Sequence, residues 1–241
     1  VENEGIALRG SVDVNDNWSL YGSLGRALHH NVGQPQGTRV VLNAAGDGSA
    51  VGQTYNLEGY THNTSWEAGL RGKLQTGAVA HQLVVSYNSL NQQSGRALPI
   101  AVSPNYTTNI YNPVDPTLPP GRGAVKQEND NDITSLAIAD TLSFAQDKVM
   151  LTLGARHQRV HQKMKGYDET ALTPALGLVV KPWGEEVSLY ANYIQGLSPG
   201  MEVGSTYANA GETFAPYKTK QMEMGVKWNA GRFTNTLALF Q

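Results

Sequence analysis

One pentapeptide has the form of a catalytic motif: Gly196-Leu197-Ser198-Pro199-Gly200 matches the Gly-x-Ser-x-Gly pattern of hydrolase nucleophiles. In that pattern the serine stands between a strand and a helix, and the helix begins directly after it. Here proline follows the serine, and several glycines and an asparagine come next, which favours a loop. No acid or histidine stands out as a triad partner, and no paired carboxylates are evident. We interpret the segment as a turn leaving a strand and predict no catalytic residue, so the protein is not expected to be an enzyme.

Six histidines and an acidic run raise the question of a metal site. His157 and His161 would lie roughly 13 Å apart on a strand, which is too far to share one ion. His29 and His30 are adjacent and therefore point to opposite faces of a strand. The acidic run at 128–132 lacks the ordered ligand spacing of a calcium loop, and we interpret it as the solvated end of a loop. No metal bound by protein ligands is predicted.

The composition suits a β-sheet with one apolar and one polar face. Charged residues make up 16% of the 241 residues, below the roughly 25% of soluble domains. A net charge of −2 gives no electrostatic basis for binding nucleic acid. The chain has no cysteine, so disulfides and thiolate metal sites are excluded. Its apolar runs stay well short of the ~20 residues that a transmembrane helix needs.

Apolar and polar side chains alternate with a period of two along much of the chain, which predicts β-strands. The clearest alternation lies between Ile6 and Val14 and in the segments 65–74, 147–158, 186–194 and 217–228. Each strand then has one apolar face and one polar or small face. We expect roughly ten strands, with 38–45 continuing the strand at 18–30.

Short and long connections alternate between these strands. This alternation is typical of an antiparallel up-and-down meander, as found in part of a large transmembrane outer-membrane β-barrel. The fold class predicted is therefore all-β. The short turns are predicted at 15–17, 76–77, 145–147, 182–184 and 229–231, and the long connections at 31–37 with 45–50, 91–127, 163–168 and 197–216.

Five aromatic residues stand within about three positions of the short turns. Aromatic rings at one level of a barrel favour the membrane interface, because the ring body is apolar and its edge tolerates water. The opposite, polar face would then line a lumen, since a β-structure in lipid must close on itself. The residues of this interface girdle are Trp18, Phe144, Trp183, Trp228 and Phe233.

Several blocks of the chain combine strand, turn and charge patterns in one order. They are 69–73, 137–156, 173–182, 188–193, 196–200, 209–212, 216–221 and 223–227. Together they resemble the barrel of TonB-dependent siderophore receptors, closely after residue 130 and more loosely before residue 100. The most specific part is Asn209-Ala210-Gly211-Glu212, followed by Pro216-Tyr217-Lys218-Thr219-Lys220-Gln221 and Glu223-Met224-Gly225-Val226-Lys227.

The resemblance implies a wide barrel of about 22 strands with a plugged lumen, which imports ferric siderophores across the bacterial outer membrane. It implies as partners a ferric siderophore, the outer-membrane lipid and the TonB complex, which supplies energy through a region ahead of the plug. Residues 1–241 are expected to be one partial barrel domain, with the plug domain and the C-terminal strands outside this sequence. No cofactor is expected, because the iron arrives already chelated.

Aromatic residues in or beside the long connections are the candidates for contacting the siderophore. Aromatic faces suit a flat, partly apolar iron chelate, and an arginine suits an anionic one. The alternative is that these residues pack the connections against one another. The candidates are Tyr55, Tyr60, Tyr106, Tyr111, Arg122, Tyr207 and Phe214.

Charged residues on the polar face near the short turns have two possible roles. They could form salt bridges with a plug, or they could only line water. The residues are Glu67, Arg71, Lys73, Glu223 and Lys227.

Two other functions remain open from the sequence. A porin-like barrel would be a passive outer-membrane channel without a plug. A soluble all-β binding module or enzyme would pack the apolar strand faces against a second sheet or against helices.

Overall fold

The computed structural model describes residues 1–33, 39–98, 101–117, 119, 121–198, 200–201, 203–204, 206–212, 214–215 and 217–241. All regular elements in these ranges are β-strands, which confirms the all-β class. The strands are β1 Glu2–Asn15, β2 Trp18–Gly33, β3 Arg39–Leu42, β4 Ser49–Gln53, β5 Tyr55–Thr76, β6 Val79–Ala97, β7 Ala101–Val102, β8 Tyr106–Asn109, β9 Val125–Phe144, β10 Val149–Gln162, β11 Tyr167–Val180, β12 Val187–Ser198, β13 Tyr217–Ala230 and β14 Phe233–Phe240.

The chain divides into two compact units. Unit 1 comprises residues 1–6, 25–64 and 91–131, and unit 2 comprises residues 7–24, 65–90 and 132–241. The larger sheet has the strand order β1-β2-β5-β6-β9-β10-β11-β12-β13-β14, with β7 paired to β5. The smaller sheet has the order β3-β4-β8. The ten strands on the main path of the described sheet agree with the predicted meander of roughly ten strands.

The segment 38–45 is placed differently from the prediction. Its strand β3 does not continue β2 but pairs with β4, with Val41 opposite Val51. The Asn43 amide donates to the Ser49 carbonyl at 2.8 Å and closes this hairpin. Residues 39–42 therefore form a hairpin with the nearby strand β4, and the prediction of one continuous strand is wrong.

In unit 2 the strand register aligns the apolar faces. Leu151 pairs with Leu178, Leu178 with Ala191, and Ala191 with Met224. Pairing residues of antiparallel strands point to the same face, so these side chains form one apolar surface. That surface is uncovered, with Met224 61% and Leu239 67% exposed. The alternative of a soluble module would instead pack these faces against a second layer.

All five predicted short turns are confirmed, each between consecutive strands of the main path. The Asn15 side-chain oxygen accepts from the Asn17 and Trp18 amides at 2.9 and 3.0 Å, which closes the first turn. Gly77, Gly184 and Gly231 have φ values of 61°, 85° and 66° in three other turns. Glycine suits these positions because it has no Cβ to clash in the left-handed region.

Three of the predicted long connections are shorter than expected. The stretch 163–168 is a turn of four residues, because Gln162 ends β10, Gly166 has a φ of 66° and Tyr167 begins β11. The connection placed at 91–127 starts only after Ala97 and ends before Val125. In 31–37 and 45–50, Asn31–Gly33 belong to β2 and Ser49 begins β4, while 34–37 lie outside the described residues. The connection at 197–216 is confirmed, between Ser198 and Tyr217.

The acidic run at 128–132 lies inside β9, so its interpretation as a loop end is wrong. Its side chains find partners that allow the strand to continue. Glu128 pairs with Arg96 at 2.9 Å, and Asp132 pairs with Lys163 at 2.8 Å. Asn129 donates to the Ser94 hydroxyl at 3.0 Å. Polar contacts across neighbouring strands stabilise a sheet in much the same way as apolar pairs.

The turn between β9 and β10 contains three consecutive non-glycine residues with positive φ: Ala145, Gln146 and Asp147, at 51°, 59° and 64°. The left-handed conformation costs a non-glycine residue about 1–2 kcal/mol. We expect Gln146→Gly to raise the free energy of unfolding by about 1 kcal/mol, measured by urea unfolding of the full-length protein in lipid vesicles. Gly184→Ala, at a φ of 85°, is the matched control and should lower it. A decrease with Gln146→Gly would contradict this account.

Candidate ligand-binding site

Unit 1 contains most of the predicted ligand-binding residues. Tyr55, Tyr60, Tyr106, Tyr111 and Arg122 all belong to it. Tyr207 and Phe214 belong to unit 2, in the connection between β12 and β13. The structure therefore brings five of the seven candidates into one compact body.

Two of these tyrosines pack on glycines around the small sheet. The Tyr106 ring lies over Gly52 of β4, where an added Cβ would come within 2.5 Å of the ring. The Tyr111 ring lies over Gly48, with the same 2.5 Å approach. Glycine is required at both positions because any side chain would displace the ring. Tyr111 remains 78% exposed, so most of its ring is available to a ligand.

The turn before β4 is held by Asp47. The Ser49 amide donates to the Asp47 carboxylate at 2.9 Å, and this hydrogen bond holds the pKa of Asp47 below its usual value. Asn109 of β8 donates to the Asp47 carbonyl at 3.0 Å. The small sheet thus has a fixed hairpin end at which Tyr111 lies.

The connection after β6 is fastened to the start of β5. Tyr55 and Asn56 pair with Val102 and Ala101 of β7. Thr54 is buried, and its amide donates to the Ser103 hydroxyl at 2.9 Å. Tyr55 therefore belongs to the backbone pairing that holds this connection against β5.

Arg122 already has an anionic partner. Its Nε donates to Glu58 Oε2 at 2.5 Å, and His30 Nε2 lies 3.2 Å from Glu58 Oε1. Glu58, His30 and Tyr60 line a cavity of about 470 Å³. Tyr60 packs over Gly95, and its ring centroid lies 4.7 Å from that of His62. An anionic ligand would have to compete with Glu58 for Arg122.

The two candidates in unit 2 lie in a compact connection. The Phe214 amide donates to the Met201 carbonyl at 3.1 Å, and the Tyr207 amide donates to the Gly204 carbonyl at 3.2 Å. Both side chains are exposed. Contact with a ligand stays a prediction for all seven candidates.

The serine considered for catalysis and the histidines considered for metal binding lie on different strands of the sheet. Ser198 ends β12, Pro199 lies outside the described residues, and the described residues that follow form no helix. His157 and His161 lie on strand β10, as expected. His29 contacts Asn3 at 2.6 Å, whereas His30 contacts Glu58, as expected for opposite faces. The described part of the chain has no group of three or more histidine, aspartate or glutamate residues arranged to hold a metal, and none of its elements is a helix able to cross a membrane.

The charged residues on the polar face of unit 2 form a local arrangement that was not predicted from the sequence. Tyr21 donates to Glu67 at 3.3 Å, and the Arg71 guanidinium lies 4.0 Å from the Tyr21 ring centroid. Gly69, between the two charged residues on the same face of β5, makes room for that ring. The arrangement joins β2 to β5 through one tyrosine.

The same arrangement recurs between β12 and β13. Tyr190 donates to Glu223 at 2.7 Å, the Lys227 ammonium lies 5.3 Å from the Tyr190 ring, and Gly225 makes room for it. The sequence signal was available, since both sites have the spacing Glu-x-Gly-x-Arg/Lys. In the described residues no ion pair involves these glutamates or their cations. Each glutamate and cation contacts a tyrosine of the neighbouring strand, and the two predicted roles, salt bridges with a plug or the lining of a water-filled lumen, stay predictions.

The five girdle residues lie in unit 2, at or near the short turns. Trp183, Trp228 and Phe233 are exposed. Trp18 and Phe144 are half-buried, and the Trp18 ring covers Gly72 of β5. Their place at the membrane interface stays a prediction.

A family model described as "TonB dependent receptor-like, beta-barrel" matches residues 5–241. The ferrichrome receptor FcuA of Yersinia enterocolitica is 34% identical over 97% of this chain and 33% of its own length. The metal-pseudopaline receptor CntO of Pseudomonas aeruginosa is 29% identical over 94% of this chain and 34% of its own length. This chain therefore spans about a third of the length of these curated relatives.

Solved structures show the same fold. The ferric preacinetobactin receptor BauA of Acinetobacter baumannii superposes with a TM-score of 0.83 and 32% identity, covering 99% of this chain and 36% of that one. FpvA of Pseudomonas aeruginosa, bound to heterologous pyoverdines, gives a TM-score of 0.75 at 21% identity, covering 99% of this chain and 32% of that one. At 21% identity, the likeness to FpvA shows a shared fold.

The exposed Tyr111 ring gives a test of the candidate site. We expect Tyr111→Ala to weaken binding of a ferric siderophore by the full-length protein about tenfold, with little change in stability. Tyr106→Ala should weaken binding and also loosen the small sheet, because it uncovers Gly52. Tyr217→Ala removes an exposed tyrosine that is not a candidate and serves as the control. Unchanged affinity, by fluorescence titration, in both candidate variants would remove these two residues from the site.

The glycine beneath Tyr190 gives a test of the polar-face arrangement. A Cβ at Gly225 would lie 2.5 Å from the Leu237 carbonyl oxygen and 2.7 Å from the Tyr190 ring. We expect Gly225→Ala to lower the free energy of unfolding by about 1–3 kcal/mol, because overpacking displaces both. Gly10→Ala, with no atom within 4 Å of the new Cβ, should be nearly neutral. Equal urea midpoints for the two variants would refute the packing role.

Proposed function

The chain belongs to the β-barrel family of TonB-dependent receptors, and from this premise we propose that the intact protein imports ferric siderophores across the bacterial outer membrane. The observation that carries the proposal is the family match across residues 5–241. Relatives over nearly the whole of this chain are named as ferrichrome and metal-pseudopaline receptors. The family is one of transport receptors located in the outer membrane.

The exposed apolar surface of unit 2 supports the membrane location. In water an uncovered surface of leucine and methionine would be a liability, whereas lipid is the medium that favours it. The backbone pairing needed in lipid is supplied by the neighbouring strands. Outer-membrane lipid is therefore a partner of this surface.

The connections of unit 1 are the proposed place of siderophore contact. They offer exposed aromatic surface at Tyr111 and, at Arg122, a cation that an anionic chelate would have to share with or take from Glu58. Such groups bind a chelate by stacking and charge without changing its bonds. We propose binding and passage without chemistry on the siderophore, with iron carried as cargo and no resident cofactor.

The chain spans about a third of the length of its curated relatives, and we propose that further segments of the intact protein complete the transporter. β1 and β14 end the main path of the sheet, and unpaired edges are unfavourable in lipid. We propose that further strands pair with them to close the barrel and that a plug domain occupies its lumen. Contact with the TonB complex would come from a region ahead of that plug.

Uptake by cells tests the proposal. The full-length protein would be expressed in a host lacking its own siderophore receptors, and uptake of ⁵⁵Fe would be measured with ferrichrome, pyoverdine and preacinetobactin complexes. We expect saturable uptake of at least one complex, and we expect it to be lost when TonB is deleted. Uptake of unrelated small solutes at equal rates with and without TonB would instead indicate a passive channel.

A further inference from the structure

A row of uncharged polar side chains crosses five strands of unit 1. The strands β1, β2, β5, β6 and β9 are neighbours in this order, and parts of all five belong to unit 1. Each strand contributes at least one amide side chain to the row. We call this row the amide panel, and its members are Asn3, Asn31, Asn63, Gln92, Ser94 and Asn129.

The first half of the panel spans β1, β2 and β5. Asn3 Oδ1 lies 2.6 Å from His29 Nδ1, so these two side chains share a face. Asn31 follows His29 by two positions and points to the same side of β2. A Cβ on Gly59 would lie 3.3 Å from Asn31 Oδ1, so the Asn31 side chain extends over β5. Asn63 lies four positions after Gly59 and continues the panel on that strand.

The second half of the panel spans β5, β6 and β9. Gln92 donates to Asn63 Oδ1 at 3.1 Å, and Asn129 donates to the Ser94 hydroxyl at 3.0 Å. Ser94 follows Gln92 by two positions, so both lie on the same side of β6. All four side chains are half-buried. The panel is therefore continuous across one side of the sheet.

This side of the sheet is the one opposite to lipid. Asn3 and Ile6 are three positions apart on β1, so their side chains point to opposite sides of that strand. Ile6 is 73% exposed and begins the apolar alternation of β1. Since the apolar side of a barrel strand faces lipid and the other side faces the lumen, we infer that the panel lines the lumen.

The panel lies toward the ends of the strands from which the long connections leave. Ser94 stands three residues before Ala97, which ends β6, and the connection that leads to β9 follows. In outer-membrane barrels the longer loops are extracellular. A ligand that enters from outside the cell would therefore reach the panel.

The amides of the panel retain hydrogen-bonding capacity. A side-chain amide has two N–H donors and a carbonyl oxygen with two lone pairs. Gln92 uses one N–H on Asn63, and Asn129 uses one on Ser94. In the part of the chain that the structure describes, these two amides make no second side-chain hydrogen bond. Each can therefore donate to a ligand and accept from it.

The panel has no charge of its own to offer a ligand. Arg96, two positions after Ser94, is paired with Glu128 at 2.9 Å. Arg122 is paired with Glu58, and Glu58 directly precedes Gly59, so its side chain points away from the panel. A ligand on the panel meets hydrogen-bonding groups that are not charged.

We propose that the amide panel binds a neutral ferric siderophore, of the class that holds iron through three hydroxamates, in preference to a tris-catecholate. This inference rests on the proposed function of siderophore import. A hydroxamate carries one negative charge and a catecholate two, so three hydroxamates neutralise Fe³⁺ and three catecholates leave a triple negative charge. The hydroxamate oxygens accept from the amide N–H groups. A triply charged chelate loses water at the panel without gaining a cation, which is unfavourable.

Binding of two chelates by the full-length protein tests the inference. Ferrichrome is the neutral trihydroxamate and ferric enterobactin the tris-catecholate, and both would be titrated by fluorescence quenching in mild detergent. We expect the wild type to bind ferrichrome at least tenfold more tightly. Gln92→Met should weaken ferrichrome binding about fivefold, as for the loss of one hydrogen bond between uncharged groups. Its affinity for ferric enterobactin should stay nearly unchanged.

A lysine in the panel should reverse the preference. Gln92→Lys places a cation there, so we expect tighter binding of ferric enterobactin by about tenfold and weaker binding of ferrichrome. Gln82 is the matched control, since it is an exposed glutamine on the same side of β6, roughly 33 Å away at ten positions. Gln82→Met and Gln82→Lys should bind both chelates as the wild type does. Urea midpoints check folding, and Asn129→Leu carries the comparison if Gln92→Met does not fold.

Two sets of results separate this inference from the proposed function. A wild type that prefers ferric enterobactin, or that binds neither chelate yet imports another siderophore through TonB, overturns the inference alone. Wild-type affinities in Gln92→Met, Gln92→Lys and Asn129→Leu do the same, as does an equal loss in Gln82→Met. Absence of TonB-dependent uptake for every siderophore tried would overturn the proposed function itself.

Discussion

Backbone hydrogen bonding in lipid is the constraint from which the other features of this chain follow. Within a membrane every amide and carbonyl must find a partner in the protein, and paired strands provide it. Once the strands pair, side chains alternate between two faces, and the face toward lipid must be apolar. The matched register of Leu151, Leu178, Ala191 and Met224 meets that condition across four strands. The same constraint explains why exposed leucines and methionines are favourable in lipid.

Glycine and aromatic residues form a second layer of organisation within the sheet. Tyr21, Tyr60, Tyr106 and Tyr190 each lie over a glycine of a neighbouring strand, as does Trp18. Because glycine has no side chain, an aromatic ring can lie directly on the strand at that position. The ring then joins two neighbouring strands without a second layer of structure. In unit 2 the tyrosine also brings together a glutamate and a cation. Side-chain contacts across strands thereby add order to a sheet that lacks a buried core of the usual kind.

The charged residues of the chain show how context decides the meaning of a side chain. Arg122 looks from its loop position like a free cation for an anionic ligand, yet Glu58 already pairs with it, and His30 contacts the same carboxylate. Asp140 of β9 looks like one polar residue in an apolar strand, yet His81 of β6 contacts its carboxylate at 2.8 Å. The acidic run of β9 looks like a loop because of its composition, yet Arg96 and Lys163 allow it to remain a strand. In each case a residue distant in sequence changes the outcome.

The sequence by itself determined the all-β class and the short turns, because period-two alternation and turn residues are local properties of the chain. Its resemblance to a known barrel, a separate signal, predicted the family. The sequence could not determine where 39–42 pair, because that depends on whether β4 offers a closer partner than β2 does. It also placed 163–168 in a long connection, since composition does not reveal that Gly166 closes a four-residue turn. Only the tertiary structure showed which side chains meet across strands: Tyr21 with Glu67, Tyr190 with Glu223, Arg122 with Glu58 and His81 with Asp140. Such contacts join residues 33 to 64 positions apart, and they depend on strand register, which no local pattern specifies.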